Sequence, residues 1–180
     1  MIQVVKITGG LLALLFIALV IYVRTPLDLS QLDDTSITVR DRTGYPIQLR
    51  LNSTGKWRES VSLDDIDPRL VEALIAYEDQ RFFSHSGVDL IAVARAGMSF
   101  VSEARIVSGA STITMQLARL LNPDIRERSI LNKLRQMLFA LRIEQHLEKS
   151  EILEAYFTLA PYGGNIEGVM AASWAWFEIG

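Results

Sequence analysis

Between Pro68 and about Gln80 the spacing of apolar residues predicts a helix whose stripe of Leu70 and Leu74, flanked by Val71 and Ile75, ends in the carboxylate of Glu78. Arg69, Glu72, Ala76 and Asp79 fall on another side. A carboxylate placed there is partly desolvated and close to the negative end of the helix dipole, which favours proton uptake and suits general acid/base work near neutrality. The plainer alternative is a rim glutamate that reaches water or pairs with Arg81. The chain has no cysteine and only two histidines, His85 and His146, which removes thiolate nucleophiles, thiolate metal sites and histidine clusters. Any transfer or hydrolytic chemistry must therefore rest on carboxylates, hydroxyls and cations.

The cations are unevenly placed. Net charge is -3, which argues against a general nucleic-acid binder, yet from Arg119 to Arg142 six basic residues stand against two acidic ones, leaving the remainder at -7. Such a stretch is either a solvated helix face or a site for phosphate or an anionic membrane surface. Ser111 and Thr112 precede a helical run, where free N–H groups favour phosphate, and Thr112, Gln116 and Arg119 share one face opposite Ile113, Leu117 and Leu120.

These residues need elements to hold them. At 180 residues, 49% of them hydrophobic, the chain is about one domain. Ile7 to Val23 is an uncharged run of 17 residues bracketed by Lys6 and Arg24, roughly 26 Å long as a helix and near the lower limit for a bilayer. The Arg-Thr-Pro-Leu-Asp that follows has no small-x-small cleavage site, so residues 1–24 read as an uncleaved signal anchor rather than a removed leader, with the rest outside the cytoplasm. Residues 25–35 read as a polar linker, and Ser36 to Arg50 alternates about Arg42 to Pro46 as a β-hairpin. Strand signals stop there. Helix starts are expected at Asp67-Pro68, after Asp89 and after Ser150.

The segment Glu78-Asp79-Gln80-Arg81-Phe82-Phe83-Ser84-His85-Ser86-Gly87 resembles the first signature of the family 51 peptidoglycan glycosyltransferases, matching at Glu78, Asp79, Phe82, His85 and Gly87. Gly109 to Leu117 resembles the second, with Ala110 and Met115 departing. Asn132 to Gln136 aligns with the third but keeps only Lys133, and glutamine stands where the family has a second glutamate. Glu151 to Gly168 resembles the fourth, a Glu-x-Tyr helix leading into a Tyr-x-Gly loop. Met115, Gln136 and Ala160 to Gly164 look most like the penicillin-binding protein 1C branch.

The resemblance implies a mainly α, lysozyme-like transglycosylase domain over residues 36–180, with a small N-terminal β-hairpin, preceded by one transmembrane helix and continuing past Gly180. It implies polymerisation of lipid II into β-1,4-linked glycan with release of a polyprenyl pyrophosphate, at the periplasmic side of the inner membrane. Glu78 is then the general base, and Gln136 the position of the second acid. Asp79, Phe82, His85, Ser111, Thr112, Gln116, Arg119, Arg128, Lys133 and Arg135 are the expected substrate contacts. No dedicated metal site is expected, with Mg or Mn conceivable only at the substrate pyrophosphate. Expected partners are lipid II, the growing strand, membrane lipid and other cell-wall synthesis proteins, and no nucleic acid. Leu90 to Val107 corresponds to a region that dips into the bilayer in such enzymes. The alternatives are a lysozyme-like glycan hydrolase, for which a cationic row has no use, and a weakly catalytic membrane scaffold.

Overall fold

The computed structural model describes the backbone of residues 2–103 and 111–178, and the side chains of residues 8–96 and 111–178. In chain order the elements are α1 (Ile2–Arg24), α2 (Ser30–Asp33), β1 (Ile37–Arg40), β2 (Pro46–Arg50), β3 (Trp57–Arg58), α3 (Pro68–Glu78), α4 (Leu90–Glu103), α5 (Ile113–Leu121), α6 (Ile130–His146), α7 (Lys149–Leu159), β4 (Pro161–Gly163), β5 (Ile166–Glu167) and α8 (Val169–Phe177). The mainly helical class and the hairpin are as expected. Of the Leu90 to Val107 region, the side chains of Met98, Phe100, Val101, Arg105, Ile106 and Val107 lie outside the described residues, as do Gly109 and Ala110.

Helix starts follow side-chain acceptors that meet otherwise unpaired N–H groups. The Asp67 carboxylate accepts from Arg69 N ahead of Pro68, and Asp89 Oδ1 accepts from the N–H groups of Ile91 and Ala92. Thr112 Oγ1 accepts from Met115 N, and Ser129 Oγ from Asn132 N. The start expected at Ser150 moves two residues earlier, because Glu151 reaches back to the Glu148 N–H at 2.7 Å and makes Glu148 the cap.

The helices gather around α5, a nine-residue helix with six buried side chains that is packed between α6 and α7. Ile113 and Leu117 are fully buried with Phe82 from the first signature and Ile143 from α6, while Met115 joins Ala140 and Val88 on a second face. Each such side chain contributes about 1.5–3 kcal/mol. α3 lies at the edge, and its inward residues are Val71, Leu74 and Ile75. The stripe is therefore rotated from the Leu70, Leu74, Glu78 line read in the sequence, and Leu70 is exposed.

Two small sheets flank the helices. β1 and β2 pair antiparallel, with Thr38 opposite Leu49. β3 pairs parallel with β5, which pairs antiparallel with β4. This second sheet was not expected, because strands of two or three residues carry no readable alternation. Its anchor is Arg58, buried and bonded to Glu167 at 2.5 Å, with the same guanidinium donating to the carbonyls of Gln31 and Asp34.

Those carbonyls belong to the stretch read as a polar linker, and that reading is corrected. Leu27, Leu29 and Leu32 pack on the core, the Gln31 amide donates to Leu121 O at 2.7 Å, and Arg142 on α6 donates to the carbonyls of Thr25 and Pro26. The Arg142 guanidinium also lies 5.5 Å from the Tyr22 ring centroid, so the end of α1 is clasped to α6. Among the described residues, which include α1 side chains only from Thr8 onward, no helix is long and apolar enough to cross a membrane. Trp176 and Phe177 are exposed, whereas Trp174 is met edge-on by Tyr45 and covered by Arg40.

Gly87 is the tightest backbone contact near the first signature. It has φ +89°, and a Cβ there would sit 2.7 Å from Ala140 O and 2.9 Å from its carbonyl carbon. Gly87→Ala combines left-handed backbone strain, about 1–3 kcal/mol, with a collision against α6 backbone that cannot move away. A fall in the thermal unfolding midpoint of several degrees is expected; an unchanged midpoint would show that this loop does not abut α6.

Candidate active site

Glu78 is the last residue of α3 and half-buried, with its side chain toward the open side of α5. Its Oε2 accepts a 2.7 Å hydrogen bond from Gln116 Nε2, and Gln116 Oε1 in turn accepts from the Tyr156 hydroxyl at 3.2 Å. Arg81 instead pairs with Asp89, at 3.6 Å, which removes the reading of Glu78 as its partner. Burial opposes ionisation of Asp89, but the Ala92 and Ile91 N–H groups, then Arg81 and His85, outweigh it and hold that carboxyl below its ordinary range. Glu78 lines a cleft of about 220 Å³ together with Tyr77, Arg81, Arg95, Ser111 and Thr112.

Beneath the cleft a buried polar cluster fixes the end of α3 to the start of α5. The Asp79 carboxylate takes the His85 Nε2–H at 2.9 Å and the Ile113 backbone N–H at 3.0 Å. Because Gly87 N donates to His85 Nδ1, the ring carries its hydrogen on Nε2. Thr112 Oγ1 donates to Gly87 O at 2.6 Å, closing the loop. On the far side Glu144 accepts from both Thr114 Oγ1 and Lys149 Nζ at 2.7 Å, and Lys149 also donates to His85 O and lies 4.3 Å from the Phe82 ring centroid.

This geometry corrects part of the expected contact set. Phe82 has no exposed surface and cannot touch a substrate. Asp79, His85 and Thr112 have buried side chains whose polar atoms are already bonded within the protein. What they do is hold Glu78 and Ser111 across the cleft from one another.

The cations divide in the same way. Lys133 Nζ donates to Ser111 Oγ at the cleft edge. Burial, and secondly Arg119 beside it, pull the Lys133 ammonium below the ordinary lysine value. Tyr156 is pushed up to about 12 by burial first, then by Glu78 and Tyr162, with Arg119 opposing. Glu78, Gln116, Tyr156, Arg119, Lys133 and Ser111 are thus one electrostatic neighbourhood. Arg128 is exposed on the turn before α6, with no ion pair among the described residues. Arg135 leaves the row: two positions along a helix from Lys133 it points about 200° around, bonds Asn132 and lines a different pocket with Tyr22 and Phe139. Gln136 is buried, and its amide donates to Ile125 O at 2.7 Å, supporting the turn before α6.

Sequence reasoning missed Tyr156 and Arg95 as site residues. Tyr156 was visible only as the tyrosine of the Glu-x-Tyr motif, and its role depends on α7 packing against α5, which no local pattern encodes. Among the described residues no group of three or more His, Asp or Glu is gathered that could hold a metal ion. Of the three carboxylates that line the cleft, Asp79 and Asp89 are engaged by His85, Ile113, Ile91, Ala92 and Arg81, and Arg81 and Arg95 add positive charge, which does not suit a dedicated divalent site.

A transglycosylase family profile matches residues 46–179, so the chain belongs to the transglycosylase family. It is 42% identical to penicillin-binding protein 1C of Escherichia coli K12 over 151 residues, covering 84% of this chain and 19% of that protein. It is 44% identical to penicillin-binding protein 1A of the same organism, covering 68% and 14% respectively, and 37% identical to penicillin-binding protein 2D of Bacillus subtilis 168, covering 68% and 18%. The chain spans less than a fifth of the length of these relatives.

Two outcomes follow from the buried cluster and the paired cations. Asp79→Ala leaves the His85 and Ile113 donors unmet in a dry site and should cost roughly 2–4 kcal/mol in chemical denaturation; a loss below about 0.5 kcal/mol would show that the cluster is not what holds α3 to α5. Arg119→Gln removes a like charge, so the Lys133 ammonium should persist to higher pH in an NMR titration of its side chain, and an unmoved titration would separate the two cations.

Proposed function

We propose that this chain supplies the catalytic cleft of a peptidoglycan glycosyltransferase that polymerises lipid II. The 4-hydroxyl of the acceptor sugar attacks the anomeric carbon of the donor chain, the bond from that carbon to the lipid pyrophosphate breaks, and inversion gives a β-1,4 link. Glu78 takes the hydroxyl proton. Lys133 and Arg119 offset the charge that accumulates on the departing pyrophosphate, with Ser111 orienting Lys133 and Arg128 reaching in from the rim. The observation that carries this reading is that the Glu78 carboxylate shares a small cleft with Ser111, whose hydroxyl is met by the Lys133 ammonium with Arg119 beside it. A glycan hydrolase would have no anionic leaving group for Lys133 and Arg119 to meet.

A lipid substrate suits the surroundings. The cleft shares Arg81 and Asp89 with an apolar groove of about 550 Å³ lined by Val88, Leu90, Ile91, Met137 and Leu141, which would accept part of a polyprenyl chain. α1 has 23 residues, roughly 35 Å at 1.5 Å per residue. Leu11, Leu12, Leu14, Leu15, Ile17 and Ile21 along it are exposed. α6, which packs on it, exposes Ile130, Leu131, Leu134 and Leu138. We read α1 as a single-pass anchor that holds the cleft against the periplasmic surface of the inner membrane. The anchor, together with lipid II, the growing strand and membrane lipid as partners, belongs to this proposal.

Glu78→Gln preserves the side-chain shape and removes the base. Product-length analysis with lipid II should show polymerisation reduced by about 10²- to 10⁴-fold, with the unfolding midpoint unchanged. Near-normal turnover in that variant would overturn the assignment, and shortening of pre-formed glycan by the wild type would favour the hydrolase.

A further inference from the structure

The hydrogen-bond chain behind Glu78 crosses three helices. α3 ends in Glu78, α5 contributes Gln116 and α7 contributes Tyr156. A carboxylate only accepts, so Gln116 must turn its NH₂ toward Glu78, and its carbonyl is then left to find a donor. The two ends of an amide have the same shape, and their hydrogen bonds alone decide which way it faces. The Tyr156 hydroxyl is the donor that decides it. Burial, followed by Glu78 and Tyr162, pushes that hydroxyl up to about 12, so it keeps its proton at any working pH. Among the described residues Glu78 Oε1 takes no hydrogen bond, so one carboxylate oxygen is held and the other is free toward the cleft.

We propose that Tyr156 is a positioning residue of the transfer reaction: its hydroxyl sets the direction of the Gln116 amide, which in turn holds Glu78 Oε2 and leaves Oε1 to receive the acceptor proton. This rests on Glu78 being the base. It also gives Gln116 a role that the substrate-contact reading did not, because its Nε2 is directed at Glu78. Without the tyrosine proton the amide can turn over and present a carbonyl oxygen to a carboxylate, which repels it and frees the Glu78 side chain to leave its reactive direction.

The test is Tyr156→Phe in the full chain. The substitution keeps the ring and its edge contact with Phe157, at 6.3 Å between centroids, and deletes only the hydroxyl. The kcat with lipid II should fall roughly 10- to 100-fold while KM stays within about twofold, since the base loses orientation and the substrate loses no contact. Tyr156→Phe combined with Gln116→Leu should be no slower than Gln116→Leu alone, because both act through one path. Independently of turnover, the Gln116 side-chain amide signals in ¹⁵N NMR should shift in Tyr156→Phe and lose their protection from exchange. Unmoved amide signals, or additive losses in the double variant, would overturn the proposal. Normal turnover in Glu78→Gln alongside shifted Gln116 signals would instead overturn the base assignment and leave the tyrosine–glutamine coupling standing.

Discussion

The Asp79 carboxylate is the point through which the rest of the site is held. It is buried, and it takes one hydrogen from the imidazole of His85 and one from the first backbone N–H of α5. An unpaired helix N-terminus and a buried imidazole would each be costly alone, and a single carboxylate satisfies both. Because Asp79 follows Glu78 directly, the bond to α5 also fixes where the end of α3 lies. Gly87, pressed against the Ala140 carbonyl, and Thr112, bonded back to Gly87, complete the loop.

Once α5 is seated, the electrostatics follow from which side chains it carries outward. Its buried face is nearly continuous from Ile113 to Leu121, and Gln116 and Arg119 are the polar positions left facing away from the core. α7 brings Tyr156 against the first of these, and α6 brings Lys133 near the second. The Glu78 carboxylate therefore shares its cleft with Ser111, and a partly desolvated Lys133 ammonium meets that hydroxyl from α6. Such preorganisation is what lets a few charges act strongly, since they need not rearrange as the bond breaks. The clasp of Arg142 on Thr25, Pro26 and Tyr22 extends the same rigidity to the end of α1, so the cleft has a defined orientation to that helix.

Much of this was legible in the sequence where the cause is local. Asp67-Pro68, Asp89 and Thr112 announced their helices through capping chemistry, and the alternation around Arg42 to Pro46 announced the hairpin. What escaped depended on partners distant along the chain. Phe82, Asp79, His85 and Thr112 belong to a recognisable signature, yet a motif does not say which of its members face solvent, and these four face inward. Arg135 and Lys133 read as one basic run, although two positions apart on a helix they point to different sides. The leucines at 27, 29 and 32 were present in the supposed linker, but their spacing gives no period, and only Arg58 and Arg142 binding the neighbouring carbonyls fixes that stretch to the core. The two-residue strands β3 and β5 pair across more than 100 residues, as between Arg58 and Glu167, which no local pattern announces.

The central claim is that Glu78 and the Lys133–Arg119 pair face one another across a single reaction centre. A crystal structure of the chain with a lipid pyrophosphate analogue bound tests this most directly. The account predicts phosphate oxygens within about 2.7–3.2 Å of Lys133 Nζ, a sugar hydroxyl in hydrogen-bond reach of Glu78 Oε1, and Gln116 still bonded to Glu78 Oε2. A pyrophosphate held instead beside Arg135 and Tyr22, with the Glu78 cleft empty, would contradict it.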